Sequence, residues 1–179
     1  MSAEDISRSA LEIIETYTRL GLKIATAESC TGGMVSAALT AISGSSAVLE
    51  RGFVTYSNDA KAEMLGVPPA LIAEHGAVSE AVARAMAEGA LRNSHANVSV
   101  SITGVAGPGG GSVLKPVGLV HFACARKGSQ TLHIEQRFGD LGREMVRIRS
   151  VLTALDLLRK VVEERDQEHG TPCHSEAPR

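Results

Sequence analysis

The sequence contains no Trp, two Tyr and three Phe in 179 residues, so aromatics make up only 3% of it. Its core must therefore be built from Ala, Val, Leu and Ile, and the many Ala and Gly residues favour close approach of helix to sheet. Cysteine is equally scarce. Cys30, Cys124 and Cys173 are widely spaced and odd in number, with no CxxC. That excludes a disulfide framework and a zinc knuckle, and it fits a reducing compartment. No apolar run approaches the roughly 20 residues that span a bilayer. The opening Met1-Ser2-Ala3-Glu4-Asp5 lacks the basic and apolar regions of a secretory signal. A soluble, cytoplasmic protein with no membrane partner is expected. An excess of basic charge is missing too: 18 Lys and Arg stand against 20 Asp and Glu, giving a net charge of −2 and a pI near 6.3. A nucleic-acid binder usually shows a basic face, so no direct nucleic-acid partner is expected.

A chain of this length with 44% hydrophobic residues fits one domain with a full-sized core, placed at residues 1–165. Residues 166–179 are polar, contain Gly170, Pro172 and Pro178, lack periodicity, and are expected to be a disordered tail. Leu11, Ile13, Ile14 and Leu20 form an apolar stripe that predicts a helix over 4–20, stopped by Gly21. Residues 22–25 read as a strand and 34–42 as a small-residue helix. Residues 47–56 read as a strand, followed by short helices over 60–65 and 69–74 and a longer one over 80–92, capped by Ser79. Residues 98–103 alternate as a strand. Residues 117–125 and 131–138 read as a hairpin, and a helix over 141–164 closes the domain. Five strands interleaved with helices predict a three-layer α/β/α sandwich, and the hairpin makes its sheet mixed.

The stretch Thr26-Ala27-Glu28-Ser29-Cys30-Thr31-Gly32-Gly33 then forms a polar loop between strand and helix. The first N–H groups of a helix have no internal partner, and the helix dipole adds positive potential there. The loop is thus either a plain N-cap by Ser29 or Thr31 or a receptor for a phosphate or a developing oxyanion; residues 26–33 alone do not separate these.

Ser29, Tyr56 and Lys61 offer a hydrolytic set, in which a serine needs a base to remove its proton and a lysine kept neutral by burial can serve. Spacing alone leaves Tyr56 as an amphipathic strand-end residue and Lys61 as a solvated helix charge. Cys30 is a rival nucleophile, since a helix N-terminus lowers a thiol pKa, or else a small buried hydrophobe. The glycine-dense loop from Gly104 to Gly111 fits neither a Walker loop nor a dinucleotide fingerprint, because it runs from strand to strand. It reads as a wall that lets backbone approach a ligand. Arg143 and Arg147 lie one helical turn apart, as a solvated face or an anion catch. His121 and His133 fall on the two arms of the hairpin, and with Cys124 they make too thin a set for a metal, so neither metal nor cofactor is expected.

Three separate stretches, Thr26 to Gly33, Tyr56-Ser57-Asn58-Asp59-Ala60-Lys61 with Leu65-Gly66-Val67, and Ser101-Ile102-Thr103-Gly104-Val105-Ala106-Gly107-Pro108-Gly109-Gly110, resemble the CinA C-terminal domain; Lys115-Pro116-Val117-Gly118 continues the match. The resemblance covers about residues 8–163. It departs at Ser112-Val113-Leu114, where relatives often carry a Thr-Pro-acidic turn. It implies a nicotinamide mononucleotide amidohydrolase that releases nicotinic acid mononucleotide and ammonia in pyridine-nucleotide salvage, with Ser29 as nucleophile and Tyr56 and Lys61 assisting. Joined to that resemblance, the loop readings assign Thr31, Gly32, Gly33, Thr103, Gly104, Gly107 and Arg143 to substrate binding, with oxyanion donors around 31–33. The partner is then a small nucleotide, and self-association into a homo-oligomer is expected. The other readings are a non-catalytic nucleotide-binding domain and a competence or DNA-damage accessory protein. Longer relatives carry an N-terminal molybdopterin-binding-like domain, which is not expected here.

Overall fold

In each inner strand, period-two alternation sends one set of side chains to each face of the sheet. Ile24 faces one helical layer, while Ala25 and Ala27 face the other; Val98, Val100 and Ile102 oppose Ser99, Ser101 and Thr103 in the same way. The computed structural model describes residues 3–168. It contains α1 (Ala3–Leu20), β1 (Ile24–Glu28), α2 (Met34–Thr40), β2 (Leu49–Val54), α3 (Asn58–Leu65), α4 (Pro69–His75), α5 (Glu80–Arg92), β3 (Val98–Gly104), β4 (Leu119–Arg126), β5 (Leu132–Arg137) and α6 (Arg143–Glu168).

The strand order is β2-β1-β3-β4-β5. β1 runs parallel to both β2 and β3, and the β3–β4 and β4–β5 pairs are antiparallel. This is the mixed five-stranded α/β sandwich expected from the sequence. α1, α2 and α6 cover one face, where Ile13, Tyr17, Leu39, Phe122, Leu155 and Leu158 form the larger core. Tyr17 reaches across that layer to donate its hydroxyl to the Leu158 carbonyl at 2.7 Å, which satisfies a polar group that would be costly to bury alone.

On the second face, α5 lies close against small residues. Ser99, Ser101 and Thr103 donate to the carbonyls of Ala87, Ala83 and Ala77 at 2.6, 2.6 and 2.8 Å. Ala83 and Ala87 pack on Ala123 and Ala125. α3 in turn rests on α5 at Gly89, where a Cβ would stand 2.0 Å from the Leu65 carbonyl oxygen. The scarcity of aromatics is answered by this close helix-to-sheet approach, which fixes α3 at the carboxyl end of β1 and β2.

Element ends shift by a few residues in several places, and two of these shifts matter for the site and the tail. Thr26, Ala27 and Glu28 continue β1 rather than starting the loop, because they pair with Gly52, Phe53 and Val54 of β2 and with Val100, Ser101 and Ile102 of β3. The last helix runs on to Glu168, so the first residues of the expected tail have helical backbone; the remainder of that tail lies outside the described residues.

Candidate active site

β1 ends with two neighbouring side chains on opposite faces. Glu28 points to the N-terminus of α2, and Ser29 points to α3, which carries Lys61. Ser57 starts α3 by accepting from the Ala60 N–H at 3.0 Å, as a serine N-cap does. That start sets Lys61 one turn into the helix and turns it inward. Lys61 is 1% exposed. Its Nζ lies 3.1 Å from Ser29 Oγ, 2.8 Å from the Thr55 carbonyl and 3.5 Å from the Ser57 carbonyl. Among the described residues no carboxylate forms a salt bridge with it. Burial pushes the Lys61 pKa down, with the nearby Cys30 thiol opposing weakly.

Nζ donates toward all three oxygens, which three N–H bonds of an ammonium satisfy. Once it loses a proton, the two carbonyls keep its two remaining N–H bonds and the lone pair turns to the Ser29 hydroxyl. Spacing alone favoured a solvated charge at Lys61, and the fold replaces that reading with a buried amine against the serine.

The two residues open onto a cleft of about 290 Å³, lined also by Tyr56, Asn58, Ala77, Thr103, Gly104, Gly107 and Arg143. Tyr56 is brought to the cleft but not into the Ser29–Lys61 hydrogen bonds. Its hydroxyl accepts from Arg143 Nη2 at 3.0 Å, and Arg143 Nη1 donates to the Gly107 carbonyl at 3.0 Å. Arg143 therefore joins Tyr56 to the glycine loop. Arg147, one turn on, holds the Cys30 and Thr31 carbonyls at 3.1 and 3.0 Å and serves the loop rather than an external anion. Along the glycine loop, Ala106, Gly107, Gly109 and Gly110 line the cleft, and their N–H groups find no acceptor among the described residues.

Three of the expected substrate contacts are placed elsewhere. Thr31 is fully buried away from the cleft, with its hydroxyl unpartnered. The Gly32 N–H donates to the Ser29 carbonyl at 3.0 Å, and the Gly33 N–H donates to Glu28 Oε2 at 3.0 Å. These glycines are needed for backbone shape, with φ of 60° and 98°, where a side chain is strained. The helix N-terminus does receive an anion, but it is the protein's own Glu28 carboxylate. Period-two alternation carried through Ala27, Glu28 and Ser29 was the signal that could have found it.

Cys30 lines the cleft but is buried, and burial pushes its thiol pKa up to about 12. The expected helix-terminus activation is outweighed by desolvation, which removes Cys30 as the rival nucleophile. His121 and His133 do meet: Nδ1 of the first lies 3.1 Å from Nε2 of the second, with stacked rings, and Glu135 and Glu80 stand 3.8 and 3.5 Å from the outer nitrogens. Among the described residues no group of three metal-ligating side chains is placed to hold an ion. No helix there is long and apolar enough to cross a membrane.

A family model described as the CinA C-terminal domain matches residues 7–162. Relatives include a CinA-like protein of Geobacter sp. (strain M21), 51% identical over 84% of this chain and 36% of its own length. A putative competence-damage inducible protein of Caldicellulosiruptor bescii is 46% identical over 88% of this chain and 38% of its own. The chain thus spans little more than a third of the curated relatives it matches. Among solved structures, the competence/damage inducible protein CihA from Agrobacterium tumefaciens superposes with a TM-score of 0.87 at 54% identity, covering 88% of this chain and 96% of that one. A competence-damaged protein (CinA) superfamily protein from Escherichia coli gives 0.84 at 35% identity, covering 90% and 93%.

Proposed function

The chain belongs to the CinA C-terminal domain family, and from that premise we propose that it is an amidohydrolase that deamidates nicotinamide mononucleotide through an acyl-enzyme on Ser29. One observation carries the reading: a buried lysine with no carboxylate partner among the described residues, 3.1 Å from a serine hydroxyl at the floor of a cleft. A surface lysine would be protonated and useless as a base at neutral pH. Desolvation lowers the cost of the neutral form, and the Thr55 and Ser57 carbonyls aim its lone pair.

In this mechanism Ser29 Oγ attacks the carboxamide carbon while Lys61 Nζ takes the hydroxyl proton. The carbonyl oxygen becomes an oxyanion, and backbone N–H groups of the 106–110 loop are the donors on that side of the cleft. Lys61 then returns its proton to the amide nitrogen, the C–N bond breaks and ammonia leaves. Water attacks the acyl carbon, again losing a proton to Lys61, and Ser29 is released with the proton restored. Arg143 supplies the cationic group for the anionic end of the nucleotide, with Tyr56 as its hydrogen-bonded partner.

The experiment is ammonia release from nicotinamide mononucleotide, set beside nicotinamide and nicotinamide riboside. The wild-type protein turns over the mononucleotide, and Ser29→Ala binds it in calorimetry without turnover. Saturable binding with no turnover in the wild type would instead favour a non-catalytic nucleotide-binding domain.

A further inference from the structure

Glu28 is fully buried, and its carboxylate accepts four hydrogen bonds: from Gly33 N–H at 3.0 Å, Val35 N–H at 3.1 Å, Ser36 N–H at 2.9 Å and Ser36 Oγ at 3.1 Å. We propose that Glu28 is a positioning residue that holds Ser29 in reacting geometry by closing the 29–33 loop into a ring. This inference rests on Ser29 being the nucleophile.

The loop has reason to be loose. It contains two adjacent glycines with positive φ, and such a segment has more backbone freedom to lose than any other. It is pinned on the strand side by the Ser29 N–H on the Ile102 carbonyl and the Thr55 N–H on the Glu28 carbonyl, both at 2.9 Å. Arg147 holds the Cys30 and Thr31 carbonyls from α6, and the contact that ties the loop's far end back to the residue directly before the nucleophile is the Glu28 side chain. Among the described residues no Lys or Arg pairs with Glu28. Its charge is met by the first N–H groups of α2 and the helix dipole, both of which favour an anion there. A carboxylate with four acceptor sites can satisfy all these donors. A carboxamide cannot, because its NH₂ would face two of them.

A helix-capping residue and a positioning residue predict different things. A cap alone lowers stability and leaves the folded molecules fully reactive. A positioning residue slows the chemistry of the folded molecules. The test uses the wild type and the Glu28→Gln, Ser36→Ala, Thr26→Val and Ser29→Ala variants with a fluorophosphonate: Ser29 Oγ bonds to phosphorus, fluoride leaves, and the serine proton passes to Lys61. Mass spectrometry identifies the labelled residue, the rate is read at saturating probe, and circular dichroism reports folding.

Wild-type Ser29 is labelled and the Ser29→Ala control is not. Glu28→Gln is about tenfold or more slower at saturation, with unchanged half-saturation, since a misplacement of an ångström costs on the order of a hundredfold. Ser36→Ala, which removes one of the four bonds together with the Ser36 Oγ contact to Thr26 Oγ1 at 2.6 Å, is slowed about twofold to fivefold, and Thr26→Val, which removes the Thr26 contact and leaves the four bonds to Glu28, keeps the wild-type rate. A folded Glu28→Gln variant with the wild-type saturated rate overturns the proposal. If Glu28→Gln does not fold, Ser36→Ala decides, and a wild-type rate there overturns it. Wild-type protein left unlabelled at Ser29 overturns the nucleophile itself, an outcome distinct from the other two.

Discussion

Replacing Lys61 with Met keeps the apolar stem in a site that is 1% exposed and removes only the amine. Three contacts go with it, to Ser29 Oγ and to the carbonyls of Thr55 and Ser57. Loss of a positioned general base costs about 10²- to 10⁴-fold in rate, or about 3–5 kcal/mol of barrier. Stability moves less, because a desolvated amine is itself costly to bury. The pH dependence separates a base from a mere cation. Burial holds the Lys61 pKa below the ordinary lysine value, so kcat/KM rises with pH, by about tenfold per unit below that pKa, and levels off before the ordinary value of about 10.4. Stability follows the same group. Between the lowered pKa and about 10.4 the unfolded chain binds more protons than the folded one, so stability rises with pH across that window, and Lys61→Met loses the slope. Steady-state ammonia release over a pH series, with urea unfolding on the same samples, measures both. A pH-independent kcat/KM in the wild type, or turnover retained by Lys61→Met, would refute the general-base argument.

Gly89→Ala drives a methyl into the Leu65 carbonyl, which would stand 2.0 Å from it, and so pushes α3 away from α5. Overpacking of this kind costs about 1–3 kcal/mol, read as a fall in the thermal midpoint of about 2–12 °C for a chain of this size; turnover falls too, because α3 carries Lys61. The His121–His133 pair makes folding sensitive to acid. Burial holds both pKa values below the ordinary histidine value, against the pull of Glu135 and Glu80 and with the push of Lys115 and Arg84. The unfolded chain therefore binds more protons below about pH 6.5, and stability drops as pH falls through that region. Substituting both histidines by Gln flattens this limb of a pH series of unfolding curves. Cys30, with a thiol near 12, resists iodoacetamide at neutral pH in the folded protein and reacts only on unfolding, as peptide mass spectrometry on timed samples shows.

The strand-loop-helix unit around Ser29 was readable because apolar runs, caps and glycine stops are local signals, and the β4–β5 hairpin was readable from two strand-like runs around a short turn; the order of the other strands was not. Ser29 and Lys61 were nameable for the same reason, each sitting at the end or start of an element. What makes Lys61 fit the proposed base role is not local. Its burial comes with the packing of α3, and the Thr55 and Ser57 carbonyls that orient its Nζ come from the β2–α3 turn; the burial has no pattern along the chain. The Tyr56–Arg143 pair joins residues far apart in sequence, so no local pattern could show that the phenol is held by Arg143. Glu28 was misplaced because the strand end lay three residues too early: as a loop residue it has no direction, and as the last residue of β1 it points to α2.

That small shift redistributes the chemistry of the site. A helix N-terminus beside the proposed nucleophile invites the assumption that its N–H groups stabilise the oxyanion, and here the first N–H groups of α2 are already taken. Gly33, Val35 and Ser36 already give their N–H groups to Glu28, and Gly32 gives its own to the Ser29 carbonyl. A second anion brought to the same place would meet a buried carboxylate and be repelled. The proposed mechanism therefore draws its donors from across the cleft, where the 106–110 loop presents backbone N–H groups that find no acceptor among the described residues and Arg143 adds a cation. The glycine density of that loop follows from the same demand, since a backbone that must come within hydrogen-bonding distance of a ligand cannot carry side chains in the way. In the proposed mechanism one side of the cleft holds and activates the serine, and the other receives the charge.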